Sequence, residues 1–302
     1  MKYEKGTRND DVVDVRGRKS SAAPKIAGGS IVVVLLLFVA SRFLGVDVSN
    51  IGGGGGGGGG GDDPSAGGQL SSAEHEAQKG SAAPLDGPDP DAELVDFISF
   101  AMKDIQDTFE QLYQESNTPY HRAKLYIFNE AINTACGRST KAIGPFYCPG
   151  DWNAYIDLSF YKELRARFGA PGDFAQAYVL AHEIGHHLQN LAREQGREPK
   201  CPRGESRNQC SVHVELQADC FAGVWGHHAQ NKKLLDAGDL EEAITAATAI
   251  GDDRLQKQAG ADDVNPESFT HGTSEQRVAW FRRGFDSGRL DACNTYAAAM
   301  PR

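Results

Sequence analysis

Apolar and polar positions alternate on three different rhythms along this chain. From Ile26 to Ser41 there is no charge, and IVVVLLLFVA over Ile31 to Ala40 is unbroken before Arg42 interrupts ahead of Phe43-Leu44-Gly45-Val46. With Arg42 snorkelling, Ile26 to Val48 supplies the ~20 residues that a helix needs to span hydrocarbon. Lys and Arg are in excess before this stretch, whereas Asp47, Asp62 and Asp63 follow it. That asymmetry predicts a single-pass anchor at 26–48 with a cytosolic N-terminus and the rest of the chain outside. A cleaved signal peptide, with small residues at Val39-Ala40-Ser41, and a buried core helix are the alternatives.

Beyond residue 91 the pattern changes. Leu94, Val95, Ile98, Ala101, Ile105, Phe109, Leu112 and Tyr113 recur at helical spacing, which predicts an amphipathic helix from Ala92 to Gln114. Lys124 to Phe128 and Ala154 to Leu158 read as strands, separated by a Gly-, Pro- and Cys-bearing stretch. Asp173 is placed to cap a helix with Gln176 at its third position, whose apolar face continues through Phe174, Ala177, Tyr178, Ala181, Ile184 and Leu188. Further helices are expected at Val212 to Ala229, at Leu240 to Ile250 with Asp239 as cap, and at Ser274 to Asp286 with Thr273 as cap. Helices around a small sheet make this an α+β domain, mainly helical.

Composition sharpens the boundaries. The 302 residues include 35 glycines, ten of them in the run Gly52 to Gly61. Residues 49–90 are Gly, Ser, Ala, Pro and Asp with few large apolar side chains, a flexible linker that cannot repay ordering entropy. Residues 1–25 carry seven Lys and Arg among four acids and read as a disordered basic tail. Residues 91–302 then form one domain of ordinary size. The net charge of -10 and a pI near 5.4 argue against a nucleic-acid partner, which would need concentrated Lys and Arg.

The chemistry concentrates in Ala181-His182-Glu183-Ile184-Gly185-His186. Residues four apart share a helix face, so His182 and His186 can aim at one ion. Glu183, one step round, is suited to take a proton from water there, the HExxH arrangement of zinc with a glutamate base. So short a motif arises by chance as well, and context must support it. It lies in a strongly apolar helix, where two unpaired imidazoles would be costly to bury. A catalytic zinc takes three protein ligands. A third His of the extended motif is missing, because Gln189 occupies the glycine position and Ala192 the last His position. Glu215, in the later stretch Val214 to Ala222, is the third-ligand candidate. Asp219, four residues on, would accept a hydrogen bond from a ligand histidine. A Glu and Asp so spaced are usually solvated; here they lie among Val212, Leu216, Phe221, Val224 and Trp225.

The longer motifs GPFYCPGDWNAYIDLSFY from Gly144, GDFAQAYVLAHEIGHHLQ from Gly172, ELQADCFAGVWGHH from Glu215, GDLEEAITAATAIGDDRLQ from Gly238 and FTHGTSEQRVAWFRRGFDSG from Phe269 extend the picture. In these the chain resembles the bacterial putative neutral zinc metallopeptidase family, membrane-anchored proteins of gluzincin type. The resemblance covers about Asp91 to Cys293 and implies a zincin-like fold, one Zn²⁺ per chain and hydrolysis of peptide or protein substrates. It sets His182, His186 and Glu215 at ligand positions and Glu183 at the base, with most divergence expected from Glu194 to Asn208.

The expected reaction is attack by zinc-activated water on a peptide carbonyl, with Glu183 as general base and then proton donor to the leaving amine. His271 is the candidate oxyanion stabiliser, ahead of Arg277, Tyr155 and His213, and it could equally be a packing residue. The strand at Ala154 to Leu158 would offer its edge to an extended substrate. His187 reads as a surface residue or one behind the ligands, and His227 and His228 as favouring their own helix's C-terminal dipole. Six cysteines permit fifteen connectivities. Local spacing favours Cys136 with Cys148 and Cys201 with Cys210, leaving Cys220 for Cys293, in an exported domain. The expectation is thus a zinc endopeptidase anchored in a bacterial membrane and facing outward. The rival is a tethered envelope module that binds zinc or a partner without hydrolysis.

Overall fold

The computed structural model describes residues 1–7, 9–17, 88–260 and 264–297. The expected anchor at 26–48 and nearly all of the linker at 49–90 lie outside the described residues. Among the described residues no helix is long and apolar enough to cross a bilayer.

Period-two alternation organises a four-stranded sheet. Its strands are β1 (Val12–Asp14), β2 (Lys124–Phe128), β5 (Phe146–Cys148) and β6 (Asn153–Asp157), in the order β1-β2-β6-β5. The β1–β2 and β2–β6 pairings are parallel and β5 runs antiparallel to β6. Leu125, Ile127, Ala154 and Ile156 point into the main core. Their neighbours Tyr126, Phe128 and Tyr155 join a second cluster with Phe146 and Ile132 on the opposite face. Both faces are therefore covered, which is why KLYIF reads as an unbroken apolar run rather than an alternating one. A hairpin, β3 (Ala131–Thr134) and β4 (Gly137–Thr140), forms a separate two-stranded sheet.

Helices fill the other side. They are α1 (Ala92–Glu115), α2 (Ser159–Phe168), α3 (Asp173–Glu194), α4 (Arg207–Asn231), α5 (Asp239–Ala249), α6 (Asp252–Gln258) and α7 (Ser274–Ser287). This is the expected α+β architecture, mostly helical. Thr273 caps α7 in a full capping box with Gln276, as the sequence predicts. Asp173 and Asp239 are instead the first helical residues, without capping bonds of their own. The start of α3 is satisfied from α5, whose Glu242 Oε2 accepts the Phe174 N–H at 3.1 Å.

Backbone proximity between helices depends on absent side chains. A Cβ on Gly223 would lie 2.0 Å from the Phe281 carbonyl oxygen, and one on Gly284 would lie 1.9 Å from that of Cys220. α4 and α7 thus cross with a glycine on each side of the contact. The three disulfides join Cys136–Cys148, Cys201–Cys210 and Cys220–Cys293, the pairing that spacing favours.

The N-terminus departs from expectation. Rather than a disordered tail, the described residues among 1–17 pack on the domain, and β1 extends the sheet from the far edge. Charge counting missed this because the basic residues meet specific acids: Lys5 pairs with Glu93, and Arg16 with Asp14, Asp89 and Asp91.

Candidate metal centre

Two helices build the site. His182 and His186 lie one turn apart on α3, with ring centroids 4.8 Å from each other. α4 passes so close that a Cβ on Gly185 would sit 2.9 Å from the Ala218 Cα. This approach brings Glu215 to the histidines, with Oε2 3.3 Å from His182 Nε2 and Oε1 3.6 Å from His186 Nε2. The three donor atoms lie within 4.8 Å of one another.

What holds the rings leaves those nitrogens free. His182 Nδ1–H donates to Asp219 Oδ1 at 2.9 Å, which leaves Nε2 facing Glu215 and, in the neutral ring, carrying the lone pair. His186 Nδ1–H donates to Gln189 Oε1 at 2.9 Å, with the same result. Gln189 is oriented in turn by donating to the Val214 carbonyl and to Gln217. Sequence reasoning noted Gln189 only as a missing glycine. Its place three residues after His186, on the same helix face, was the available signal.

Asp219 is fully buried and is the hub of the polar interior. Besides His182 it accepts from Tyr178 Oη at 2.5 Å and from Arg277 Nε and Nη2, both at 2.8 Å. Burial opposes ionisation, yet the Arg277 charge and then His182 hold the Asp219 carboxyl below its usual range. Burial likewise opposes the charged form of His182, while Asp219 and then Glu215 raise its pKa to about 10. Glu215 is held well below the ordinary carboxylate range against its own burial, chiefly by His186 and His182. Glu183 is buried at the wall of the cleft, and burial pushes its carboxyl up against the pull of His186 and His182.

His271 also lines the cleft. Its Nδ1 lies 3.1 Å from Asp252 Oδ1, and Asp252 Oδ2 accepts the backbone N–H groups of Thr270, His271 and Gly272. Burial lowers the His271 pKa, but the bond to Asp252 and the charge of Glu215 raise it overall. Asp252, at the start of α6, was missed by sequence reasoning, which carried no signal linking it to a residue nineteen positions later.

The other oxyanion candidates are engaged elsewhere. Arg277 is committed to Asp219; Tyr155 sits on the opposite face of the sheet, donating to Asp151; His213 stacks on Tyr296 and contacts Glu205. His187 is no surface residue but fully buried, with Nε2–H donating to the His121 carbonyl and Nδ1 accepting from Tyr147 Oη. His227 and His228 donate to the carbonyls of Phe285 and Gly288 at the end of α7, not to their own helix. The strand at Ala154 to Leu158 is not an edge, since β6 is paired on both sides; the edge beside the cleft is β5. The cleft itself encloses about 1710 Å³.

Known proteins resemble this chain along much of its length. The family model described as "Putative neutral zinc metallopeptidase" matches residues 1–296. Uncharacterized protein YpfJ of Escherichia coli (strain K12) is 40% identical over 310 residues, covering 98% of this chain and 99% of its own length. Uncharacterized protein Mb2605 of Mycobacterium bovis is 41% identical over 191 residues, 60% of this chain and 64% of its own length. No solved structure matches. On the span of the family model and the near-complete alignment with the Escherichia coli relative, the chain belongs to the putative neutral zinc metallopeptidase family.

Proposed function

We propose that this chain is a zinc-dependent endopeptidase in which His182, His186 and Glu215 hold one Zn²⁺. The spacing of the donors is the observation that carries the reading. Tetrahedral ligands at roughly 2.0–2.2 Å from zinc stand about 3.3–3.6 Å from one another. Oε2 of Glu215 lies 3.3 Å from His182 Nε2 and Oε1 lies 3.6 Å from His186 Nε2, and one donor from each residue lies within 4.8 Å of the others, close enough for one ion to draw them together. Among the described residues three protein donors rather than four come together, which supports a catalytic site over a structural one. When bound, the metal supplies Lewis acidity and brings the pKa of water toward ~7.

The remaining steps belong to the protein. Glu183 takes a proton from the attacking water and returns it to the leaving amine. Its burial keeps the carboxyl basic enough for that exchange. His271, held by Asp252, donates from Nε2 to the developing oxyanion. The unpaired side of β5 accepts the substrate backbone by strand addition, and a cleft of about 1710 Å³ accommodates several residues on either side of the scissile bond. Three disulfides support an oxidising compartment for the domain.

The test is metal content and peptide-library hydrolysis by the full chain, wild type and Glu183→Gln. One zinc per chain in both, with turnover only in the wild type, is the expected outcome. Zinc in both and turnover in neither would favour the non-catalytic binding module, and no zinc at all would refute the reading.

A further inference from the structure

Among its described residues, the N-terminal segment is built into the domain at several points. The Met1 side chain joins the main core, and the ammonium of Met1 lies 2.8 Å from Asp173 and 3.2 Å from Asp239, at the starts of α3 and α5. Lys2 N–H donates to the Leu234 carbonyl. Tyr3 packs edge-on against Phe97 of α1 with ring centroids 5.3 Å apart. Gly6 N–H donates to Asp96. β1 then runs parallel to β2 in the register Val12↔Leu125, Val13↔Tyr126 and Asp14↔Ile127, extended by Leu125 N–H to Asp11 and Val15 N–H to Ile127.

Arg16 closes the segment. Its side chain is 3% exposed, and the guanidinium meets Asp14 at 2.7 Å, on the chain leaving the domain, and Asp89 at 2.5 Å and Asp91 at 3.2 Å, on the chain returning to it. One planar fork thus clamps both ends of the stretch between Gly17 and Pro88. A sequence that crossed a bilayer once in that stretch would separate those ends by ~30 Å of hydrocarbon. Contacts at 2.5–3.2 Å and a hydrogen-bonded strand cannot be made across that distance. The anchored arrangement expected from the charge asymmetry around 26–48 and the observed pairing of β1 are therefore mutually exclusive.

We propose that residues 1–17 and the domain that follows residue 88 occupy the same side of any membrane this chain enters, the N-terminal segment serving as the domain's own edge strand. The positive-inside signal misleads here because it treats the N-terminal charges as free. Lys5 and Arg16 are instead neutralised within the fold, by Glu93 and by three aspartates. The family model also spans this segment together with the domain. The inference does not depend on zinc or on hydrolysis.

The test places a thiol at an exposed site in each part of the full-length chain, Glu4→Cys in one variant and Lys257→Cys in another. A membrane-impermeant maleimide is added to spheroplasts expressing each, before and after lysis. Intact disulfides by mass, with a single added thiol, verify that each variant folds. The same-side arrangement requires both positions to label under the same condition, either both before lysis or both only after it, with labelling ratios agreeing within about twofold. Labelling of one position in intact spheroplasts and of the other only after lysis would overturn the proposal. Asp10→Cys and Glu241→Cys provide a second pair with the same two outcomes where the first disturbs folding.

Discussion

Asp219 and Arg277 should be far more important to stability than a partner of a metal ligand ordinarily is, and the structure says by how much. Asp219 is 0% exposed and Arg277 1%, joined by two hydrogen bonds of 2.8 Å. Asp219→Leu leaves a guanidinium buried without its counter-charge, which costs about 3–5 kcal/mol. That is a large share of the roughly 5–15 kcal/mol that holds a domain together. Arg277→Leu should cost a similar amount by stranding the carboxylate. The double variant Asp219→Leu/Arg277→Leu removes both charges and should be destabilised by several kcal/mol less than the sum of the singles. Zinc affinity should behave differently. Both Asp219 variants remove the acceptor from His182 Nδ1, so affinity falls roughly 10 to 100-fold in each, about 1.4–2.7 kcal/mol, and is not restored in the double variant. Urea unfolding followed by circular dichroism in the presence of a chelator measures the first quantity, and competitive zinc titration the second. Additivity of the stability changes within about 0.5 kcal/mol would refute the pairing argument.

Other consequences can be checked independently. Glu215→Ala should abolish stoichiometric zinc binding while leaving the fold intact, and unchanged occupancy in metal analysis would remove Glu215 from the ligand set. Gly185→Ala forces a methyl to within 2.9 Å of the Ala218 backbone, so α3 and α4 must separate. A stability loss of about 1–3 kcal/mol with weakened zinc binding is expected, and an unchanged zinc titration would count against the close approach as what positions Glu215. His187 is neutral in the fold, burial having pushed its pKa from 6.5 down to about 4. Its contribution is complete above pH 6.5 and is lost as pH falls toward 4, where the unfolded chain takes up a proton that the folded one refuses. At 1.36 kcal/mol for each tenfold change in proton affinity, that is roughly 3 kcal/mol. Chemical denaturation from pH 7.5 to 4.5 should show a shallower slope for His187→Gln than for wild type, and equal slopes would refute it. His271→Ala should lower kcat without releasing zinc; zinc loss in that variant would point to a different role.

Much of the site was legible in the sequence because it depends on local geometry. Spacing by four residues along a helix places His182 with His186, and Glu215 with Asp219, on common faces before any tertiary contact forms. Helix positions followed from the apolar period, and at α7 the start followed from capping chemistry too, Thr273 with Gln276, whereas Asp173 and Asp239 are not caps. The cysteine pairing was also accessible, two bridges being local and the third what remained.

What the sequence could not supply are relationships between residues distant along the chain. That Gln189 orients His186, that Arg277 neutralises Asp219 rather than facing substrate, and that Asp252 holds His271 depend on where helices cross. Those crossings are set by glycines whose missing side chains carry no periodic signal. The edge strand was misassigned to β6 because a strand's propensity does not reveal how many neighbours it will have. The N-terminus was misread because unpaired charges and charges awaiting a distant partner look identical in a one-dimensional string. The sequence by itself determined the donor types, their spacing and the helices that carry them. Only the tertiary structure decided which of the surrounding polar groups turn inward to hold those donors, because burial and pairing are properties of the packed chain.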